Sequence, residues 1–428
     1  MLKPWVRWGS ALIPTVVSGS ATAYLLSTSN WQQWGVEVMP TTTSSPTSFA
    51  DLANITYTAD CITQGLPIEP CDPYGRPFQP YVVLPARMLV ILGLGSESTG
   101  TIGTVLGFVT VALVAGLAFL VAARWRRGAL PLVVTQAAIT LGAISPGVVL
   151  GIERGQIESL TALLVVFSLI AFTSRTRVKW LGVPTSLLST ALKYLTVGMF
   201  LAFANWHTIA KRKWPVLTAA AISGVFLLLS VPQLRQAAQT SESGVPQTTM
   251  SAFGLTNTIA SPLAGPTLTY LPPADVAEAW PALRLVGFVL FALLVAVSYI
   301  ILRRIELPSA DSLTWILTIG SGGVLLLPYL IGSSNDYRLI FLLPMIAGLG
   351  LWWGGISDFQ ANRLPPTLIA AATLALVTSA SMLPTPQGWR WPTWLVVLGD
   401  IGLFAILAVT AALSLSMILR TSKRDTLI

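Results

Sequence analysis

Long apolar stretches separated by short charged segments run through the whole chain. A helical membrane span takes about 20 apolar residues. Windows of roughly that length lie at Ser10–Leu26, Thr101–Ala123, Leu130–Leu150, Ile157 to just before Arg175, and Val216–Val231. Further windows lie before Arg303-Arg304 and at Leu313–Ile331, Leu339–Ile356, Leu368–Leu383 and Trp394–Leu419. The short alternating segments of a membrane barrel are not seen, and helices satisfy their own backbone in lipid. The pattern predicts an all-α, polytopic transmembrane protein with about ten full spans and one short membrane hairpin. The hairpin falls in 181–205, between the basic residues Arg175, Arg177 and Lys179 and the run Lys211-Arg212-Lys213. Both of its ends therefore sit on one side, and the piece is too short for two spans. It is expected to break near Leu192 to Thr196. Tyr81 to Leu94, with Pro85 and Arg87 inside it, reads as an interfacial or re-entrant helix.

Composition agrees with this reading. Of the 428 residues, 54% are apolar and 10% charged, where a soluble domain carries about 25% charged residues. The mean hydropathy is +0.72. The net charge of +8 does not point to nucleic acid, because the basic residues cluster in short loops between apolar runs, as the positive-inside rule expects. That rule places both termini in the cytoplasm. It leaves two long extracytoplasmic loops, 27–100 and 233–281, in a single transmembrane domain, 1–428. Ala21-Thr22-Ala23 resembles a signal-peptide cleavage site, but apolar Tyr24-Leu25-Leu26 continues past it, so the first run reads as a retained span. The two cysteines, Cys61 and Cys71, share the first loop, where a disulfide or two unpaired thiols are both open. A single His207 near a basic loop makes no metal site, and no cofactor is implied.

The densest polar patch follows the first span, from Phe49-Ala50-Asp51-Leu52 to Cys71-Asp72-Pro73-Tyr74-Gly75-Arg76-Pro77. Asp51 opens a stretch in which Leu52, Ile55 and Ala59 fall at near-helical spacing. It reads either as a catalytic base or as a plain partner of a helix N-terminus. Asp60 and Asp72 are weaker binding candidates, and Asp72 before Pro73 also fits an Asx turn. Charged residues at membrane depth are costly and default to functional hypotheses. Arg76, Lys193 and Arg338 have the chemistry of anion binders, against readings as an interfacial anchor, a snorkelling side chain or a structural ion pair. In the turn Glu153-Arg154-Gly155-Gln156, Gln156 suits a sugar hydroxyl, while Arg154 and Glu158, four apart, suit a helical ion pair. Asn335-Asp336-Tyr337-Arg338 opens a later span, as ligand contacts or as a cap with an interfacial tyrosine. Asn54-Ile55-Thr56 matches a glycosylation sequon of the kind common by chance.

Together these elements resemble the GT-C membrane glycosyltransferases, and within them glycosyltransferase family 87, which includes polyprenyl-phosphate-mannose-dependent mannosyltransferases. Asp51-Leu52 through Tyr57 and then Gly65-Leu66-Pro67 is similar to that family's first-loop helix and turn. The Gly155-Gln156 turn, Lys193 in the mid-chain hairpin and Asn335-Asp336-Tyr337-Arg338 to Pro344 resemble its later motifs in the same order. Two departures stand out: Tyr194-Leu195-Thr196 where a proline usually follows the hairpin lysine, and the Cys61/Cys71 element with Asp72 and Arg76. The resemblance implies a GT-C-like fold in a bacterial plasma membrane. It implies transfer of a sugar (hexose or pentose, mannose among them) from a polyprenyl-phosphate donor to an extracytoplasmic glycan or glycolipid acceptor. Asp51 is then the base, with Asp60, Asp72, Arg76, Glu153, Arg154, Gln156, Lys193, Asn335, Asp336, Tyr337 and Arg338 as the candidate substrate contacts. A transporter or flippase for a lipid-linked sugar and a polysaccharide polymerase or ligase are the alternatives.

Overall fold

The computed structural model describes residues 3–27, 49–67, 82–125, 128–174, 176–204, 213–242, 252–253, 258, 279–303, 305, 307–308, 312–331, 334–355, 363–379 and 392–425. All regular structure among them is helical, apart from one two-residue antiparallel pair, β1 (Ala252–Phe253) with β2 (Ser334–Asn335). Seven of these helices are long and apolar enough to cross a membrane, or eight if one bent pair counts as a single span. This is an α-helical membrane protein; the described residues alone do not establish the expected count of about ten spans. The windows around Ile157 and Leu368 give shorter helices, Glu158–Thr173 and Leu364–Val377.

Helix α1 (Pro4–Ser27) leads to α2 (Ala50–Thr63), α3 (Val83–Ile91) and α4 (Thr99–Arg124). The expected interfacial helix is α3, nine residues long. The single span expected over Leu130–Leu150 is two helices, α5 (Ala129–Ala143) and α6 (Pro146–Glu153), bent by 42°. The reason is local. Pro146 has no N–H to continue the ladder, and Ser145 before it is extended, with φ −65° and ψ 151°. Next come α7 (Glu158–Thr173) and α8 (Gly182–Leu192). Lys193 is extended, and a 3-10 helix, Tyr194–Phe203, packs back against α8. The break therefore falls inside the expected window. Helix α9 (Lys213–Glu242) runs beyond Val231, so the second long loop begins later than its sequence suggests. Helices α10 (Trp280–Leu302), α11 (Leu313–Ile331), α12 (Leu342–Gly355), α13 (Leu364–Val377) and α14 (Thr393–Asp425) complete the described elements.

Burial divides these helices into two kinds. Every residue of α12 from Leu342 to Gly350 is buried, as expected of a helix that is apolar all round and surrounded by others. On α10, by contrast, Leu285, Val289, Leu293, Val297 and Ile300 are exposed. An apolar face of that extent is stable against acyl chains rather than water. The interior relies on close backbone approach, since helices in lipid gain little from burying apolar surface. At one close crossing, Gly198 of the 3-10 helix meets Gly323 of α11. A Cβ on either glycine would overlap the other's carbonyl. Gly348 of α12 similarly lies against Thr314 and Thr318 of α11.

Candidate functional site

A second, smaller apolar cluster builds the site. Leu52, Ile55 and Ala59, the face that the spacing predicts, are buried with Val82, Ala86, Leu106, Ile157 and Leu192. This seats α2 on α3, on α4 and on the first residue positions around α7 and the end of α8. The start of α2 is held by backbone. Phe49 N–H donates to the Glu153 carbonyl at 2.8 Å, and the N–H groups of Asp51 and Leu52 both donate to the Arg154 carbonyl at 3.2 Å. Orphan amides at a helix start are thus satisfied by the 153–156 turn. Two residues in left-handed conformation make this fit. Gly155 has φ +63°, and a Cβ there would lie 2.8 Å from Leu52 Cβ. Phe49 has φ 65°, uncommon for a residue with a bulky side chain.

This docking brings the 153–156 turn over Asp51. Arg154 Nη1 lies 3.2 Å from Asp51 Oδ1, and Gln156 Nε2 donates to Oδ2. Each carboxylate oxygen therefore has its own side-chain donor, from residues about a hundred positions away in sequence. The Asp51 side chain keeps 24% exposure and that of Arg154 18%. Gln156 is buried beneath them. Glu153, the last residue of α6, is half-buried on the same turn.

A second cluster stands just along the chain. Glu158, the first residue of α7, has 3% side-chain exposure. Its Oε1 lies 3.0 Å from Lys193 Nζ and 3.7 Å from Arg338 Nε. Lys193 comes from the break after α8. Arg338 comes from a 3-10 helix, Asp336–Phe341, that packs on α6 and α7. The local Arg154–Glu158 pair expected from their spacing does not form as a helical pair. Gly155 turns the chain left-handed between them, α6 ends at Glu153 and α7 starts at Glu158, so the two residues never share a helix face.

The other expected site residues divide. Asp60 sits on the last turns of α2, away from Asp51, and its carboxylate accepts the Ser96 N–H at 3.1 and 3.2 Å. It caps the 3-10 turn Ser96–Ser98 that enters α4. Asp72 and Arg76 lie outside the described residues. Asn335, Asp336 and Tyr337 are placed by their backbone, in β2 and at the start of the 3-10 helix that carries Arg338; their side chains lie outside the description. Cys61 is disulfide-bonded, and Cys71, the chain's other cysteine, lies outside the described residues. Asn54 of the sequon is buried.

Sequence reasoning did not choose Glu158 as a site residue. The signal was present, since an acid at the head of an apolar helix is rare enough to require a partner. No group of three or more potential metal ligands occurs among the described residues. Chemically, the first cluster presents an oriented carboxylate and the second presents two cations around a buried carboxylate. No family model, curated protein or solved structure matches this chain.

Proposed function

We propose that this protein is a GT-C-type membrane glycosyltransferase that uses a polyprenyl-phosphate sugar as donor, with Asp51 as general base. The observation that supports it most is the Asp51 carboxylate itself. It is part-exposed, fixed through both oxygens by Arg154 and Gln156, and carried on a helix start bonded to the same turn. In the reaction, the hydroxyl oxygen of a glycan or lipid acceptor attacks the anomeric carbon. Its proton passes to the Asp51 carboxylate, and the bond from carbon to phosphate oxygen breaks, with the electron pair leaving on the phosphate. One displacement inverts the anomeric centre. Arg154 and Gln156 hold Asp51 aimed. Cations near the leaving phosphate, Lys193 and Arg338 among them, offset its developing charge.

The membrane layout in this reading has about ten spans plus the α8 hairpin, both termini in the cytoplasm and the site on the extracytoplasmic side of a bacterial plasma membrane. Supporting it, α4 leads from the Asp60 side to Arg124, and α8 leads from Arg177 and Lys179 to Lys193, so these basic ends lie away from the clusters. The second reading is a flippase for a lipid-linked sugar. The broken helices at 143–146 and 192–194 favour it, because transporters bind substrate at such breaks.

The deciding experiment incubates the purified, detergent-solubilised protein with radiolabelled polyprenyl-phosphate sugars and extracted membrane lipids, beside Asp51→Asn. Label should move to a new product with the wild type only. Product from Asp51→Asn at the wild-type rate removes Asp51 as base. Label that crosses reconstituted vesicles without changing chemically supports the flippase instead.

A further inference from the structure

The two charge clusters are built in opposite senses, and the second has a feature that transfer chemistry at Asp51 does not require. Its carboxylate is the innermost group. Glu158 has 3% side-chain exposure, against 11% for Lys193 and 20% for Arg338. Both Glu158 oxygens are buried and lack a well-aligned hydrogen bond, so the carboxylate is held by charge rather than by directed donors. A buried carboxylate is costly unless opposite charges pair with it, and here two cations do.

What it does follows from distance. Lys193 Nζ and Arg338 Nε approach the same oxygen, at 3.0 and 3.7 Å, so the two cations are themselves close neighbours. Two part-buried cations gathered on one oxygen repel each other. A buried carboxylate in contact with both offsets that repulsion, and both cations are more exposed than it is. The three groups come from three separate elements: the head of α7, the break after α8 and the 3-10 helix before α12. Leu192 beside Lys193 and Ile157 beside Glu158 pack in the same apolar cluster as Leu52 of α2, so this pair of cations is fixed relative to Asp51.

We propose that Glu158 is the positioning residue of a phosphate seat. Its buried carboxylate gathers Lys193 and Arg338 into one two-cation face, and that face takes the phosphate of a lipid-linked ligand beside Asp51. This rests on the donor class proposed above. Glu158 itself does not touch the ligand. Arg338 contributes a planar fork and Lys193 a point charge, a combination suited to a phosphate bearing one lipid ester.

The test measures equilibrium binding to the full chain in nanodiscs of neutral lipid, with thermal stability recorded for every variant. The probes are polyprenyl phosphate, the phosphate-free polyprenol and inorganic phosphate. Wild type should bind polyprenyl phosphate at least about tenfold more tightly than polyprenol. Glu158→Gln should lose about tenfold in polyprenyl phosphate affinity and little in polyprenol affinity. Glu158→Asp, which keeps the charge, should recover most of the loss. Phosphate binding that is unchanged or tighter in Glu158→Gln overturns the proposal and leaves the donor reading standing. If Glu158→Gln does not fold, Lys193→Met and Arg338→Gln carry the test: polyprenyl phosphate affinity unchanged in both overturns it. Inorganic phosphate bound as tightly as polyprenyl phosphate overturns the lipid-linked assignment. Wild type that binds neither phosphate overturns both this proposal and the donor reading.

Discussion

Asp51 with Arg154 and Gln156, and Glu158 with Lys193 and Arg338, each hold one carboxylate against two donor side chains, but in inverted order of exposure. In the first cluster the carboxylate is the most exposed member, at 24%, above its arginine at 18%. In the second the carboxylate is the most buried, at 3%, and the cations lie outside it. A carboxylate held by an arginine and an amide can still accept a proton from a ligand. A pair of cations held from behind by a carboxylate can still accept an anion. The difference shows that the charge census of a site says less than which partner faces outward.

The comparison is broken most directly at Asp51. Asp51→Asn should lower turnover about a thousandfold while donor binding stays within twofold or so, because proton transfer is lost and the second cluster is untouched. Single-turnover chemistry and donor affinity measured on one preparation separate these effects. Donor affinity falling together with turnover would mean that the clusters act as one.

Gly155→Val strikes the hinge between them. It places a β-branched residue at φ +63° and drives a Cβ into Leu52, so about 2–3 kcal/mol of stability should be lost. A lower unfolding temperature with loss of transfer is the expected result; a variant as stable and active as wild type would mean that the turn does not position Asp51. Gln156→Leu is narrower. It removes the donor to Asp51 Oδ2, and a fall of about tenfold in kcat with an unchanged donor KM is expected. An effect on KM alone would reassign Gln156 to substrate contact. Asp60→Asn should matter least. It weakens the cap on Ser96–Ser98 by about 1 kcal/mol, visible as a small shift in unfolding temperature with turnover intact.

Much of this scaffold was legible in the chain. The buried face Leu52, Ile55, Ala59 and the break after Leu192 both follow from short-range pattern. So does Asp51 in the first turn of a helix. The bend at 143–146 was also written in Pro146, but apolar composition on both sides of it made one span of two helices. Hydropathy averages over a window and does not register a single missing N–H.

The sequence by itself determined that the chain is helical, that it belongs in a membrane and that its few polar residues gather near certain helix ends. Those properties are set within a few turns of helix, by side-chain hydropathy and backbone propensity. The tertiary structure alone decided which charge meets which. Spacing paired Arg154 with Glu158. The left-handed Gly155 separated them, and packing gave Arg154 to Asp51 and Glu158 to Lys193 and Arg338. An ion pair depends on separations of a few ångströms through a low-dielectric interior, and those distances are fixed by how α2, α7, the α8 break and the Arg338 segment pack, not by their order along the chain.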